Sequence, residues 1–130
     1  MEILKFTGVC LITDDVISLM DFYKNLLQVE AVGDEVTARL GVEGSYHIDI
    51  CSKQGMENLV PGSTSEIGHG GCTLEFEVDN VDEEYERLKS QNIKFIKLPS
   101  TYPWGRRSFW IQDLDGNIVN IFTNVNMGIA

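Results

Sequence analysis

Basic residues are scarce in this sequence. Ten lysines and arginines stand against twenty aspartates and glutamates, a formal net charge of −10. So negative a chain repels phosphate backbones and anionic lipid headgroups, and neither nucleic acid nor a membrane is expected as a partner. Long apolar runs are lacking as well. None approaches the roughly 18 to 20 residues that span a bilayer, and the start MEILKFTGVC has no basic segment followed by a long apolar core. A soluble, unprocessed, cytoplasmic protein is expected. Cysteine is limited to Cys10, Cys51 and Cys72. The odd number, wide spacing and absence of a CxxC pair exclude a disulfide framework and a zinc ribbon, and read as reduced core thiols. With only three prolines and 43% hydrophobic residues over 130 positions, one compact domain over 1–130 is expected.

Along the chain, TGVCLIT reads as a strand fairly apolar on both faces, which implies cover on both sides. Asp14 or Asp15 then offers an N-cap to VISLMDFYKNLLQ, where Val16, Leu19, Met20, Tyr23, Leu26 and Leu27 recur at helical spacing. Strands are expected near Glu35–Leu40 and Tyr46–Ser52, with a weak one around Glu30–Val32. Positions 53–71 hold five glycines, Pro61 and several serines and threonines, the composition of a connecting loop. Beyond it the order repeats. CTLEFEVDN reads as a strand, Asn80 with Glu83 as a variant capping box, VDEEYERLKSQ as a helix, and strands follow near Ile93–Leu98, Arg107–Gln112 and Asn117–Phe122. Laying Asp79-Asn80-Val81 on Asp14-Asp15-Val16 brings Leu74 and Phe76 onto Val9 and Leu11. The pattern is an internal duplication of βαβββ units, a first module over 3–52 and a second over 72–124.

Asp113-Leu114-Asp115-Gly116-Asn117 separates two strands and has the composition of a tight hairpin, in which Gly116 or Asn117 takes the left-handed conformation. An EF-hand loop is excluded, because that loop needs glycine sixth and glutamate twelfth, and Gly116 would stand fourth. Taken with DDVISLMDFYKNLL, FEVDNVDEEYERLKSQNI and PWGRRSFWIQDLDGNIVNIF, this turn resembles the vicinal oxygen chelate superfamily, the glyoxalase, bleomycin resistance and extradiol dioxygenase proteins, over about Lys5 to Asn124. Leu114 stands where that family usually has proline. The resemblance implies an α+β fold, in which two βαβββ modules curl a curved eight-stranded mixed sheet into a cup with helices outside, and it implies a homodimer.

Strand alternation assigns faces if the more apolar set packs under the helices. Thr73, Glu75 and Glu77 then look into the cup, as do His47, Asp49 and Cys51 on the fourth strand, Ser108, Trp110 and Gln112 on the seventh, and Asn120 and Phe122 on the eighth. Tyr102 and Trp104 join Trp110 and Phe122 as apolar walls. Trp110 is the firmer member of the pair, because Ser108 and Gln112 beside it are polar and a dry core would leave them unsatisfied. Of the two arginines, Arg107 shares the parity of Phe109 and leaves the cup to meet surface acid, while Arg106 is the candidate for a ligand group. His69 reads as a loop residue.

Catalytic members of the resembled family hold a divalent ion through His, Gln or Glu on the first, fourth, fifth and eighth strands. Here the resemblance lays those places on Gly8, Thr73 and Asn120, with His47 and Asp49 on the fourth strand. Glycine, a neutral hydroxyl and an amide are poor donors for zinc, nickel, iron or manganese. No metal and no other cofactor is expected, and catalytic residues stay unassigned. The expected function is therefore a metal-free small-molecule binder, with a cationic aromatic ligand suggested by Asp49, Glu75 and Glu77 beside aromatic rings. The alternative is a metal-dependent lyase, thiol transferase or dioxygenase with a displaced site involving His47 or Asp49, near Glu75 or Cys10.

Overall fold

A computed structural model describes residues 3–126. The chain divides between Ile67 and Gly68 into two compact units. The first contains β1 (Gly8–Thr13), α1 (Val16–Leu27), β2 (Ala31–Gly33), β3 (Thr37–Leu40), β4 (His47–Ser52) and α2 (Lys53–Leu59). The second contains β5 (Thr73–Glu77), α3 (Val81–Leu88), β6 (Lys94–Tyr102), β7 (Arg106–Gln112) and β8 (Ile118–Asn124). The architecture is α+β. Its eight strands form two mixed sheets of four, ordered β1-β4-β3-β2 and β5-β8-β7-β6, so each module repeats the other's topology. In both, the first strand pairs parallel to the last and the remaining pairs are antiparallel.

The helices start where their caps allow. Asp15 is the N-cap of α1, accepting from the Ser18 N–H at 3.1 Å and the Ser18 hydroxyl at 2.7 Å. Asn80 does the same for α3, accepting from the Glu83 N–H at 3.2 Å. Each satisfies an N–H that the first turn leaves without a partner. On the first sheet α1 packs over β3 and β4, burying Val16, Leu19, Tyr23 and Leu26 with Leu11, Ala38, Leu40 and Ile50. On the second, α3 packs over β6, β7 and β8, burying Val81 and Leu88 with Phe109, Ile111, Val119 and Ile121. Each large side chain so buried stabilises the fold by roughly 1.5 to 3 kcal/mol through apolar area removed from water.

Three expectations are corrected. Positions 53–71 are not wholly loop, because α2 opens them: Ser52 caps it by accepting from the Gly55 N–H at 2.8 Å. The Glu57 carboxylate then ties down the following turn, taking the N–H groups of Gly62 and Thr64 at 2.8 Å each. These bonds and that of the Thr64 hydroxyl hold Glu57 far below its ordinary value, at about 2. Second, β1 is covered on one side only, with Leu11 and Thr13 buried and Cys10 exposed. Third, the cysteines are not core thiols: Cys10 and Cys72 are exposed and Cys51 is half-buried.

Candidate functional site

The helix-free face of the second sheet collects most of the expected site residues. Strand register sets Glu75 beside Asn120 and Asn120 beside Trp110, giving a transverse row that ends on Lys97. The adjacent row runs from Glu77 through Phe122 and Ser108 to Ser100, and beyond it Asn124, Arg106 and Tyr102 stand side by side. Glu75 accepts from the Asn120 amide at 3.2 Å and lies 3.5 Å from Arg106. Glu77 accepts from the Asn124 amide at 3.0 Å. The Arg106 guanidinium lies 3.6 Å above the centre of the Phe122 ring, a cation–π contact.

Lys97 is the residue that alternation did not find. Counting from Phe95, which packs against Tyr85 and Phe109 under α3, Lys97 should point to the helix side. An irregularity in the β6–β7 pairing between Phe95 and Lys97 turns it to the opposite face, and a second follows between Lys97 and Ser100. An extra residue in one strand re-aims the side chains that follow. Pro99 inside the strand was the available signal, since proline sits at bulges and edges. The Lys97 ammonium lies 4.6 Å from the Tyr102 ring centre and 5.6 Å from that of Trp110. It donates to the Ser100 hydroxyl at 3.1 Å, the Ser108 carbonyl at 2.7 Å and the Ser108 hydroxyl at 3.0 Å.

That lysine covers Ser108, which faces the expected side but is 1% exposed and cannot meet a ligand directly. Trp104 is no wall of a hollow: it is 72% exposed in the turn after β6 and stacks on Tyr102, the rings 4.5 Å apart and 6° from parallel. Gln112 reaches back to the Gly116 carbonyl at 3.2 Å, and Thr73 is exposed at the start of β5. Arg107 leaves on the helix side and grips both oxygens of Asp82 at 2.9 Å, which holds that carboxyl below its ordinary range. The hairpin between β7 and β8 closes on Asp113. Its carboxylate accepts from the N–H groups of Asp115 and Asn117 and from the Asn117 amide, each at 2.9 Å, while Gly116 takes φ 89°.

Two buried atoms on this face have no protein partner, the Trp110 Nε1 and the Asn120 Oδ1. One is a donor and the other an acceptor, and they stand at directly paired positions of β7 and β8.

His47 and Asp49 belong to the first sheet. Arg39, on the neighbouring strand, holds Asp49 by two bonds of 2.6 and 3.0 Å, and His47 Nε2 lies 3.6 Å from the same carboxylate. The arginine bonds keep Asp49 ionised well below the usual carboxylate range. Arg39 was missed because only the β3–β4 register brings it opposite Asp49.

The places that the resemblance assigns to a metal do not fit one. A Cβ at Gly8 would stand 2.1 Å from the His47 carbonyl oxygen, so no ligating side chain can occupy that position without moving the backbone. Asn120 faces Glu75 across the strand pair, whereas Thr73 faces Ile118. Among the described residues, no group of three or more His, Cys, Asp or Glu side chains is placed to hold an ion. Asp49 already spends both oxygens on Arg39, which leaves His47 a weak nucleus for a displaced site.

Two cavities lie in the first unit. One of about 450 Å³ sits against α2, lined by Val36, Thr37, Cys51, Ser52, Gly55, Met56, Asn58 and Leu59. Another of about 460 Å³ is bordered by Glu30, Arg39, Tyr46 and His47 among others. Neither contains a buried polar side-chain atom left unpaired, and for that reason the face bearing Trp110 is the stronger candidate for recognition.

The family model for the glyoxalase-like domain matches residues 6–126. Bacillus subtilis (strain 168) protein YraH is 23% identical over 125 residues, covering 92% of this chain and 98% of that one. Among solved structures, a glyoxalase/bleomycin resistance protein/dioxygenase from Nocardioides superposes with a TM-score of 0.78 at 22% identity, over 98% of this chain and 88% of its own. A family member from Burkholderia phytofirmans PsJN gives 0.79 at 18% identity, over 92% and 98%. No helix among the described residues is long and apolar enough to cross a membrane.

Proposed function

This chain belongs to the glyoxalase-like domain family, and from that premise we propose that it is a metal-free binder of a small planar molecule, held on the helix-free face of the second sheet. One observation carries the reading. A buried indole donor on Trp110 and a buried amide acceptor on Asn120, residues paired across β7 and β8, have no protein partner. Leaving a buried polar group unmatched costs roughly 1 to 3 kcal/mol, and a flat ligand that displaces the side chains covering these atoms and brings a donor and an acceptor relieves both. A phenol, amide or lactam carries both groups. Among the described residues the places that the family gives to a metal carry poorly fitting donors, which argues against the metal-dependent lyase, thiol transferase and dioxygenase reactions.

Ligand charge follows from what already lies on the rings. Lys97 covers Trp110 and Tyr102, and Arg106 covers Phe122. Glu75 and Glu77 are held by Asn120, Arg106 and Asn124. A cationic aromatic molecule, suggested by Asp49, Glu75 and Glu77 beside aromatic rings, has to displace a cation from each ring, so a neutral or anionic ligand is favoured. Association into a homodimer belongs to the same proposal, and light scattering on the purified chain tests it.

The binding test pairs thermal shift with metal analysis. Matched neutral, anionic and cationic aromatic amides are screened against the wild type and Trp110→Phe, which keeps a ring and removes the N–H. A stabilising neutral or anionic compound whose affinity drops about tenfold in the variant supports the proposal. Stoichiometric zinc, nickel, iron or manganese in the purified protein overturns it.

A further inference from the structure

We propose that Cys10 and Cys51 form a dithiol site that reacts with low-molecular-weight disulfides and closes into an intramolecular disulfide. β1 and β4 pair in parallel, with Cys10 opposite Asp49 and Cys51 opposite Ile12, so the two cysteines are diagonal neighbours on one face. Their sulfurs are in contact at 2.6 Å. The sulfurs already meet, so forming a bond between them needs only a small local adjustment at these two positions. Access differs between the two thiols. Cys10 is exposed on the strand surface, whereas Cys51 is half-buried and lines the cavity of about 450 Å³ beside α2, which offers a small reagent an entry.

The chemistry is two successive exchanges. The Cys51 thiol gives its proton to solvent, and its sulfur attacks a disulfide R–S–S–R. The sulfur–sulfur bond of the reagent breaks, one R–S⁻ leaves and takes up a proton, and Cys51 holds the other R–S group. The Cys10 sulfur then attacks Cys51, its proton passing to the second departing thiolate. The products are one protein disulfide and two R–SH, so the two thiols lose two electrons and two protons, which reduce the reagent. Partial burial, the Cys51 contact and the Asp49 charge push the Cys10 thiol up to about 12, which holds it protonated and leaves the first attack to Cys51; in the second step proximity offsets this, because its target is already beside it. Cys72 provides an internal comparison: its sulfur contacts the Asn117 amide oxygen at 3.4 Å and has no second thiol within reach.

Bis(2-hydroxyethyl) disulfide, a neutral reagent that the acidic chain does not repel, is incubated with the native full-length protein. Intact mass is read against time and the linkage is mapped by proteolysis. The expected product has lost two hydrogens and joins Cys10 to Cys51, while Cys72 stays a free thiol. In Cys10→Ser the reaction stops with the hydroxyethylthio group on Cys51, formed at least about tenfold faster than any adduct on Cys72. Mapping the wild type answers the question even if the variant folds poorly. The proposal is overturned if the wild type accumulates a mixed disulfide without closing. It is equally overturned if Cys72 reacts as fast as Cys51, or if native protein is inert under conditions that modify the denatured chain.

Discussion

The two modules share strand order, parallel pairing and an N-capped helix over the sheet, yet their helix-free faces differ in chemistry beyond the arginine–carboxylate pair that each carries. On the first, Asp49 is gripped by Arg39 and approached by His47, and two thiols touch. On the second, aromatic rings lie under a lysine and an arginine, and two buried polar atoms wait for a partner. The duplicated pattern resides in the side chains facing the helices. Those facing away are free of that duty, and so one backbone plan carries a self-satisfied polar face and an unsatisfied aromatic one.

The largest effects test whether the helix sides are equivalent. Phe109→Ala in the second module and Tyr23→Ala in the first each remove a fully buried ring, and each is expected to lose about 3 to 5 kcal/mol in denaturant unfolding. A loss below about 1 kcal/mol in either breaks the equivalence. Next comes Asp113→Ala, which strips the β7–β8 hairpin of three bonds to a buried carboxylate. About 2 kcal/mol is expected by the same assay.

Ligand affinity then sharpens the contrast between faces. Trp110→Ala is expected to weaken a compound found in the screen by about tenfold or more in calorimetric titration, whereas Asp49→Asn on the other sheet leaves its affinity unchanged. Smallest is the pair of ion pairs. Asp82, held by Arg107, and Asp49, held by Arg39, both lie below the ordinary 3.8. Because the folded value is the lower one, each contributes its stability above the unfolded value, and the contribution fades as pH falls below about 4 and through the folded value. Arg107→Ala should cost about 0.5 kcal/mol or less, since both side chains are substantially exposed, and should return Asp82 alone to its ordinary titration in carboxyl-carbon NMR.

Local features were legible in the sequence. Asp15 and Asn80 announce helix starts within three residues of the N–H groups that they satisfy, and the turn from Asp113 to Asn117 is closed by three internal bonds to the Asp113 carboxylate. Helix-facing positions such as Phe109, Ile111 and Val119 follow from alternation because β7 and β8 pair with each other without interruption there. The rest depends on register. Arg39 meets Asp49, and Cys10 meets Cys51, only through pairings between strands distant in sequence. The helix at Lys53–Leu59 was hidden by its glycine. At Gly55 a Cβ would stand 2.8 Å from the Ser52 hydroxyl and 3.2 Å from Val36, so a residue that usually signals loop is present for close packing.

The slack in β6 has its own consequence. A strand with a surplus residue can present either of two neighbours to the same spot, and here the choice falls between Ile96 and Lys97 opposite Trp110. Slid by one place, the sheet would offer an alkyl chain where it now offers an ammonium group, with no contact beneath α3 having to change its chemistry. Which side chain this surface presents is thus a matter of counting along the strand as much as of composition.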